Sequence, residues 1–242
     1  MITAAADPLS AAGFAVDVFA PDAVFAYWDG KGEETAARVT ARGHAALAAA
    51  LARWRNADIL MAVRDDDDCF VEGRVGGHEP ATFVASLQLD ASGRIARCLA
   101  FHCPVVEPPP SSGSTAALPP GTARLVLNHY FSNLTAGQFT GAANCFSEDC
   151  LYSHPPYMPG AERAEFRGRA ELLSGFQAVR GARPSRLPQI VRCVQSGADC
   201  FIEGVVDGDL ARGSFVSSVS LDSDGLICRY VAFYTDSRVP RL

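Results

Sequence analysis

A histidine flanked by tyrosines and followed by prolines stands in residues 149–160, which read DCLYSHPPYMPG. His154 is suited to proton transfer, because an imidazole titrates near neutral pH. Tyr152 and Tyr157 add hydroxyls that can donate hydrogen bonds. The two prolines after His154 favour an extended conformation for it and fix the chain that follows. The segment is either a reaction centre or a stiff loop in which His154 only satisfies a backbone carbonyl.

Hydrophobic periodicity predicts the elements that would position these side chains. The predicted helices cover residues 122–135, 138–146 and 169–180, and the predicted strands cover 150–153, 187–194, 200–206, 213–221 and 226–235. Strand alternation places Tyr152 on the same face as His154. Tyr130 lies on the first helix, either as a core residue or as a hydrogen-bond donor to a ligand. The order of elements is typical of an α+β domain whose helices pack on one face of a curved antiparallel sheet.

The chain contains this pattern twice. CFVEG at 69–73 returns as CFIEG at 200–204, and LDASGRIARCLAF at 89–101 returns as LDSDGLICRYVAF at 221–233. Blocks that keep their order and spacing indicate a tandem duplication. The predicted domains are a degenerate copy at 1–106, a Pro/Ser/Gly linker at 107–121 and a complete copy at 122–242. The first copy has too few residues before its block FAPDAVF to form the first helix, so we predict that it lacks that helix.

The composition argues against several classes of protein. The chain has 242 residues, of which 48% are hydrophobic and 20% charged, as in globular domains. A net charge of −6 and a pI near 5.3 argue against a nucleic-acid site. No apolar run is long enough to span a membrane, and the N-terminus lacks the basic region of a signal peptide. The eight cysteines form no CxxC pair and are interpreted as reduced, buried thiols, so we expect a cytoplasmic protein.

Three segments of the second copy resemble the nuclear transport factor 2-like superfamily, which includes ketosteroid isomerase and the SnoaL-like polyketide cyclases. The segments read YFSNLTAGQFTGAANCFSEDCLYSHPP, EFRGRAELLSGF and LDSDGLICRYVAFY. The resemblance covers residues 122–236 and, more weakly, 8–104. It implies two cone-shaped domains with a cystatin-like α+β fold. Because this fold hosts unrelated chemistries and non-catalytic binders, the resemblance does not fix the function.

The resemblance also assigns three candidate catalytic residues. The oxyanion-hole tyrosine of ketosteroid isomerase falls on Tyr130, its general base falls on His154, and its second oxyanion donor falls near Ser217. Two of these three positions have changed residue type, so steroid isomerisation is not implied. No metal or cofactor is expected, because no set of His, Asp or Glu has the spacing of metal ligands.

The last strand of each copy has one shared face and one divergent face. The divergent face includes Tyr230 and Tyr234, and we predict that it lines the ligand pocket together with Tyr152 and Tyr157. The shared face of the second copy consists of Ile227, Arg229, Val231 and Phe233. Superfamily members dimerise through this outer face, so the two copies are predicted to form a pseudo-dimer within one monomeric chain.

The sequence leaves two functions open. In the first, the second copy binds a small apolar metabolite and acts as an isomerase, cyclase or dehydratase, with His154 as the acid or base and Tyr130 and Ser217 at the developing oxyanion. In the second, the protein is a non-catalytic binder or a scaffold. The first copy has Tyr27 where the second has His154. We interpret this copy as a structural half that completes the interface between the two copies. The alternative is that it binds a ligand through Tyr27, Trp28, Asp29 and His102.

Overall fold

The computed structural model describes residues 14–28, 39–54, 56–76, 80–108, 118–157, 162–180, 187–207 and 213–235. The chain divides into two compact units, with the described residues up to Pro108 in the first and those from Leu118 in the second. The predicted absence of a first helix in copy one concerns residues 1–13, which lie outside the described residues. Most of the predicted linker and Asp29 lie outside them as well.

The first unit is built on a six-stranded sheet with the order β2-β1-β6-β5-β4-β3. Its elements are β1 (Phe19–Trp28), β2 (Val39–Arg42), α1 (His44–Ala50), β3 (Asp58–Asp65), β4 (Asp68–Val75), β5 (Ala81–Leu89) and β6 (Ile95–Pro104). Short 3-10 helices at Val16–Val18 and Ala52–Trp54 complete the described part of this unit.

The second unit has the equivalent strand order, β8-β7-β12-β11-β10-β9. Its elements are α2 (Thr122–Thr135), α3 (Phe139–Ala143), β7 (Phe146–His154), β8 (Ala164–Arg167), α4 (Arg169–Arg180), β9 (Leu187–Ser196), β10 (Asp199–Asp207), β11 (Gly213–Leu221) and β12 (Ile227–Thr235). The repeat in the sequence therefore corresponds to a repeat in topology.

The helices α2 and α4 have the predicted bounds, whereas α3 is shorter than predicted. The end of α2 follows from Gly137, whose φ of 72° is the left-handed conformation that closes many helices. The sheet is antiparallel from β9 to β12, as predicted, but β7 runs parallel to β12. It is therefore mixed, and it contains the edge strand β8, which the sequence analysis did not predict.

A β-bulge corrects the predicted face of Ile227. In β12, Ile227 pairs with Leu221 and Arg229 pairs with Ser220, so Cys228 is an extra residue between them. Ile227 consequently joins Tyr230 and Ala232 in the core instead of facing outward. The first unit has the same irregularity at the start of β6, and Ile95 likewise lies in its core.

Aromatic side chains form the centre of the second unit's core. Tyr130 of α2 packs edge to face on Phe146 of β7 at a centroid distance of 5.1 Å, and Phe176 of α4 lies 6.0 Å from Tyr130. Burial of each such side chain stabilises the fold by roughly 1.5–3 kcal/mol. Both helices are thus held against the face of the sheet that carries Phe146 and Tyr152.

The glycine of the repeated CF(V/I)EG motif has a packing role in both units. A Cβ atom at Gly73 would collide with the ring of Phe83, and one at Gly204 would collide with the ring of Phe215. Each phenylalanine stands on the neighbouring strand directly opposite its glycine. The motif therefore marks a place where an aromatic ring lies over bare backbone.

Within the described part of the chain, no helix combines the length and apolar character needed to cross a membrane.

Candidate functional site

His154 is the last residue of β7 and is only 8% exposed. Its Nδ1 lies 2.7 Å from the carbonyl oxygen of Pro155. Because a carbonyl oxygen can only accept, Nδ1 must carry the proton and donate it. In the neutral ring the lone pair then resides on Nε2, which is the atom that could accept a proton. The two interpretations of this segment are therefore compatible, since the stiff loop supplies the carbonyl that orients the imidazole.

Aromatic rings surround the His154 imidazole. The Tyr157 ring stacks on it at a centroid distance of 4.3 Å and an interplanar angle of 4°. The Tyr152 ring is also parallel to it, at 6.0 Å, and the Tyr234 ring is tilted at 5.1 Å. The predicted common face of Tyr152 and His154 is therefore observed. In these contacts the imidazole lies beside aromatic rings.

Three tyrosine hydroxyls form a chain from the core toward the surface. The Tyr130 hydroxyl donates to the Tyr152 hydroxyl at 3.4 Å, which is long for an O–H···O bond. The Tyr152 hydroxyl lies 2.9 Å from the Tyr157 hydroxyl. Tyr130 and Tyr152 are buried, whereas Tyr157 is partly exposed. The Tyr130 hydroxyl thus has a partner within the protein, as the core interpretation predicts.

A second pair of hydroxyls lies on β11 and β12. Ser217 donates to the Tyr230 hydroxyl at 3.1 Å, and both residues are buried. The Tyr230 ring stacks on Tyr152 at 5.3 Å and 8°. Burial, followed by the neighbouring Tyr130 and Tyr234, raises the pKa of Tyr230 well above its ordinary value. The phenol is therefore neutral and keeps a proton that it can donate.

The structure brings all the predicted site residues into one cluster at the inner face of the second sheet. Its members are Tyr130, Tyr152, His154, Tyr157, Ser217, Tyr230 and Tyr234. Their roles in catalysis and ligand binding stay predictions. Among the described residues, no group of three or more His, Cys, Asp or Glu side chains is placed to hold a metal ion.

Two contributors to this cluster were missed by sequence reasoning. Phe166 of β8 stacks on Tyr152 at 6.0 Å, and Phe176 of α4 meets the Tyr152 ring edge to face at 5.5 Å. Phe176 belongs to the apolar stripe of a predicted helix, so its burial could have been foreseen. Phe166 stands on the unpredicted strand β8, and no sequence pattern indicated its position.

The equivalent place in the first unit holds a different arrangement. The Tyr27 hydroxyl lies 3.1 Å from Nδ1 of His102. The Trp54 ring packs against the rings of Tyr27 and Phe83 at 5.3 and 4.6 Å, and Phe14 adds a further contact with Trp54. All these rings are buried. Aromatic side chains of the unit itself therefore occupy the inner face of the first sheet.

Comparison with known proteins gives a family match for part of the chain. Residues 127–235 match the family model of the SnoaL-like domain. A search of curated proteins gives no match. A protein of unknown function with a cystatin-like fold from Methylobium petroleophilum is 19% identical, with 52% of this chain and 84% of that chain covered and a TM-score of 0.42.

Two further solved structures have similar sequence identities, coverages and TM-scores. A protein assigned as a ketosteroid isomerase from Kribbella flavida is 20% identical, with 50% of this chain and 83% of that chain covered and a TM-score of 0.39. An LEH-like epoxide hydrolase from M. tuberculosis is 17% identical, with coverages of 47% and 83% and a TM-score of 0.37. The family model matches residues that include most of α2, the strands of the second sheet and His154. The second unit thus matches the SnoaL-like domain model over residues 127–235, in agreement with the resemblance in its sequence.

Proposed function

We propose that the second unit binds a small, largely apolar molecule beside His154 and catalyses a proton transfer on it without a cofactor. The reaction class is that of an isomerase, cyclase or dehydratase. The observation that supports this most strongly is the hydrogen bond from Nδ1 of His154 to the Pro155 carbonyl. This bond fixes the tautomer in which Nε2 is the basic atom, and a general base must first be oriented correctly.

In this proposal Nε2 of His154 removes a proton from a carbon next to a carbonyl group of the substrate. The resulting imidazolium returns the proton to another carbon in an isomerisation, or to a departing hydroxyl group in a dehydration. Negative charge develops on the carbonyl oxygen, and tyrosine hydroxyls are the donors that stabilise it. The aromatic rings around His154 favour an apolar substrate, because they offer ring faces for contact.

The hydroxyl chain refines the roles first given to Tyr130 and Ser217. Tyr130 donates to Tyr152, so it acts on a ligand by polarising the chain that ends at the partly exposed Tyr157. Ser217 donates to Tyr230, so its role is to polarise the Tyr230 phenol. Tyr157 and Tyr230 are then the hydroxyls that contact the substrate oxygen.

A non-catalytic binder or scaffold is the second candidate, and one observation favours it. The hydroxyls of Tyr130, Tyr152, Ser217 and Tyr230 are paired with one another, and all four side chains are buried. Polar groups that satisfy each other stabilise a packed interior without any ligand. This candidate predicts that removal of the His154 imidazole changes no chemical step.

The test is deuterium exchange at the α-carbon of small cyclic and aryl ketones, followed by NMR in D2O. This assay detects proton abstraction without knowledge of the natural substrate. The catalytic proposal predicts exchange by the wild type and its loss in His154→Ala at an unchanged melting temperature. His129→Ala is the matched control, because His129 is an exposed histidine on α2. If the wild type and His154→Ala both bind a ketone and neither catalyses exchange, the result supports the non-catalytic binder.

We also infer that the protein works in the reducing cytoplasm. All eight cysteines are free thiols, and most of them are buried. Proteins of oxidising compartments more commonly use their cysteines in disulfides.

A further inference from the structure

Two cysteines of the second sheet lie side by side. The Sγ atoms of Cys193 on β9 and Cys200 on β10 are 3.7 Å apart. Cys193 pairs with Ile202 and Cys200 pairs with Gln195 across the same ladder. The two cysteines are therefore diagonal neighbours on one face of the sheet, an arrangement in which long side chains touch.

The surroundings of the two thiols make them unequal. A hydrogen bond from Cys200 and the charge of Arg124 on α2 lower the pKa of Cys193, against the opposing effect of burial. The same hydrogen bond and its own burial raise the pKa of Cys200 well above the usual value. Of the two thiols, Cys193 is thus the one that loses its proton more readily.

Accessibility also distinguishes Cys193 from its partner Cys200. Cys193 is partly exposed, whereas Cys200 is buried. Cys228 is partly exposed as well, but burial raises its pKa to about 11, and its thiol donates to the carbonyl of Ser220. Reactivity of a thiol toward oxidants requires both thiolate character and access. Cys193 has both properties, and Cys228 lacks the first.

The first unit contains only one member of this pair. Ala62 on β3 pairs with Val71, as Cys193 pairs with Ile202, so Ala62 stands at the position of Cys193. Cys69, the equivalent of Cys200, is buried. Of the two equivalent sites, that of the second unit alone holds both sulfurs.

We propose that Cys193 and Cys200 are a peroxide-reactive thiol pair that is oxidised to an intramolecular disulfide. The Cys193 thiolate attacks one oxygen of hydrogen peroxide, the O–O bond breaks, and hydroxide leaves and is protonated to water. Cys193 is then a sulfenic acid. The Cys200 sulfur attacks the Cys193 sulfur, its proton goes to the departing hydroxyl, and a second water leaves. In sum, two thiols are oxidised to one disulfide, and one peroxide is reduced to two waters.

The required movement is short. The sulfurs must approach from 3.7 Å to about 2.0 Å, which rotation of the two side chains can provide if the strands adjust slightly. Oxidation also removes the thiolate beside Arg124. Gln195 of β9 accepts a hydrogen bond from the backbone of Ala123 at 3.0 Å, so the start of α2 rests on this same strand. The pair therefore lies on the strand that contacts the start of the helix carrying Tyr130.

The test treats the full chain with hydrogen peroxide at neutral pH and follows the intact mass and the peptide map. We expect a loss of two hydrogen atoms and a cross-link between the peptides of Cys193 and Cys200, in the wild type and equally in Cys228→Ser. Thiol loss should be about tenfold slower in Cys193→Ser, because the remaining thiols have little thiolate. In Cys200→Ser, a sulfenic acid at Cys193 should persist and be trapped by dimedone.

A separate variant tests the contribution of the Arg124 charge to the reactivity of Cys193. Arg124→Gln should slow the first oxidation about threefold without changing which cysteines are joined, because the thiolate loses its cation. The proposal is overturned if the wild type forms no Cys193–Cys200 cross-link, or if it reacts no faster than Cys193→Ser. Circular dichroism of each variant shows whether the fold is retained, and a matching loss of reactivity in a folded Cys228→Ser would also overturn the proposal.

Discussion

The two units share a framework and differ in what fills it. At equivalent positions of the two sheets, the first unit has Phe25, Ala85 and Cys98, and the second has Tyr152, Ser217 and Tyr230. The second interior therefore gains three hydroxyls, and those hydroxyls form hydrogen bonds. The first interior is packed by Trp54 and other rings. The comparison therefore favours the second unit as the place of the proposed proton transfer.

A tyrosine and a histidine have also exchanged places between the units. The first unit has Tyr27 on its first strand and His102 on its last, whereas the second has His154 and Tyr234 at these positions. In the first unit the imidazole Nδ1 bonds to the phenol of Tyr27. In the second it bonds to a backbone carbonyl. Only the second arrangement fixes a neutral imidazole in a single tautomer, because a phenol can donate or accept and a carbonyl only accepts.

In both units, a side chain at the start of a helix is hydrogen-bonded to the first residue of a strand. His44, at the start of α1, bonds through Nε2 to the Phe19 carbonyl at 2.9 Å. Arg169, at the start of α4, donates from Nε to the Phe146 carbonyl at 2.8 Å. Different side chains thus make the same connection between a helix and the first residue of a strand.

The largest effect is expected when the second unit is given the residue of the first. His154→Tyr should lower α-proton exchange about 10²–10⁴-fold, because a phenol is not a base at neutral pH. The reciprocal change Tyr27→His should leave the rate of the wild type unchanged. Rates are measured by NMR on folded protein, and activity retained by His154→Tyr would contradict the catalytic role of His154.

The next effect concerns the shared framework. Gly73→Ala and Gly204→Ala should each lower the free energy of unfolding by about 1–3 kcal/mol, because the new Cβ atom meets a phenylalanine ring and backbone in either unit. Gly76→Ala is the control, since a Cβ atom there has open space. Urea unfolding measures the difference, and a neutral change at Gly204 alone would show that the two units do not share this packing constraint.

A smaller effect is expected from the hydroxyls that distinguish the units. Tyr152→Phe and Ser217→Ala, which bring the second interior closer to the first, should each cost about 0.5–1.5 kcal/mol of stability through a lost hydrogen bond. Leu172, which makes no such bond in the core, could be changed to Met as a control for altered packing. Stability gained in Tyr152→Phe would mean that the hydroxyl chain is strained rather than stabilising.

The smallest expected effect is no change at all. If the shared sheet faces complete a pseudo-dimer within one chain, which stays a prediction, then the molar mass by light scattering should remain that of one chain as concentration rises. A mass that doubles with concentration would show that the chain still uses a surface for self-association.

Local patterns predicted much of this fold, and tertiary contacts account for what they missed. The bounds of α2 could be predicted because its apolar period runs without interruption to a glycine. The strand β8 has four residues, too few for a periodic pattern, and was missed. Alternation placed Tyr152 beside His154. The bonds of Tyr130 to Tyr152 and of Ser217 to Tyr230 join residues 22 and 13 positions apart, and no local rule predicts such pairings.

The bulge at the start of the last strand has a consequence for how the two units could diverge. The extra residue reverses, once, which side chains face inward along the strand. In both units this happens at the start of the strand, before the residues that line the interior. Every position after it keeps a fixed assignment to the inside or the outside. Substitutions at Tyr230 and Tyr234, or at Cys98 and His102, can therefore alter the interior without altering the register. Deletion of Cys228 would instead remove the extra residue and change which side chains of β12 face inward. The bulge therefore constrains the length of this segment, whereas substitutions in the site leave the register intact.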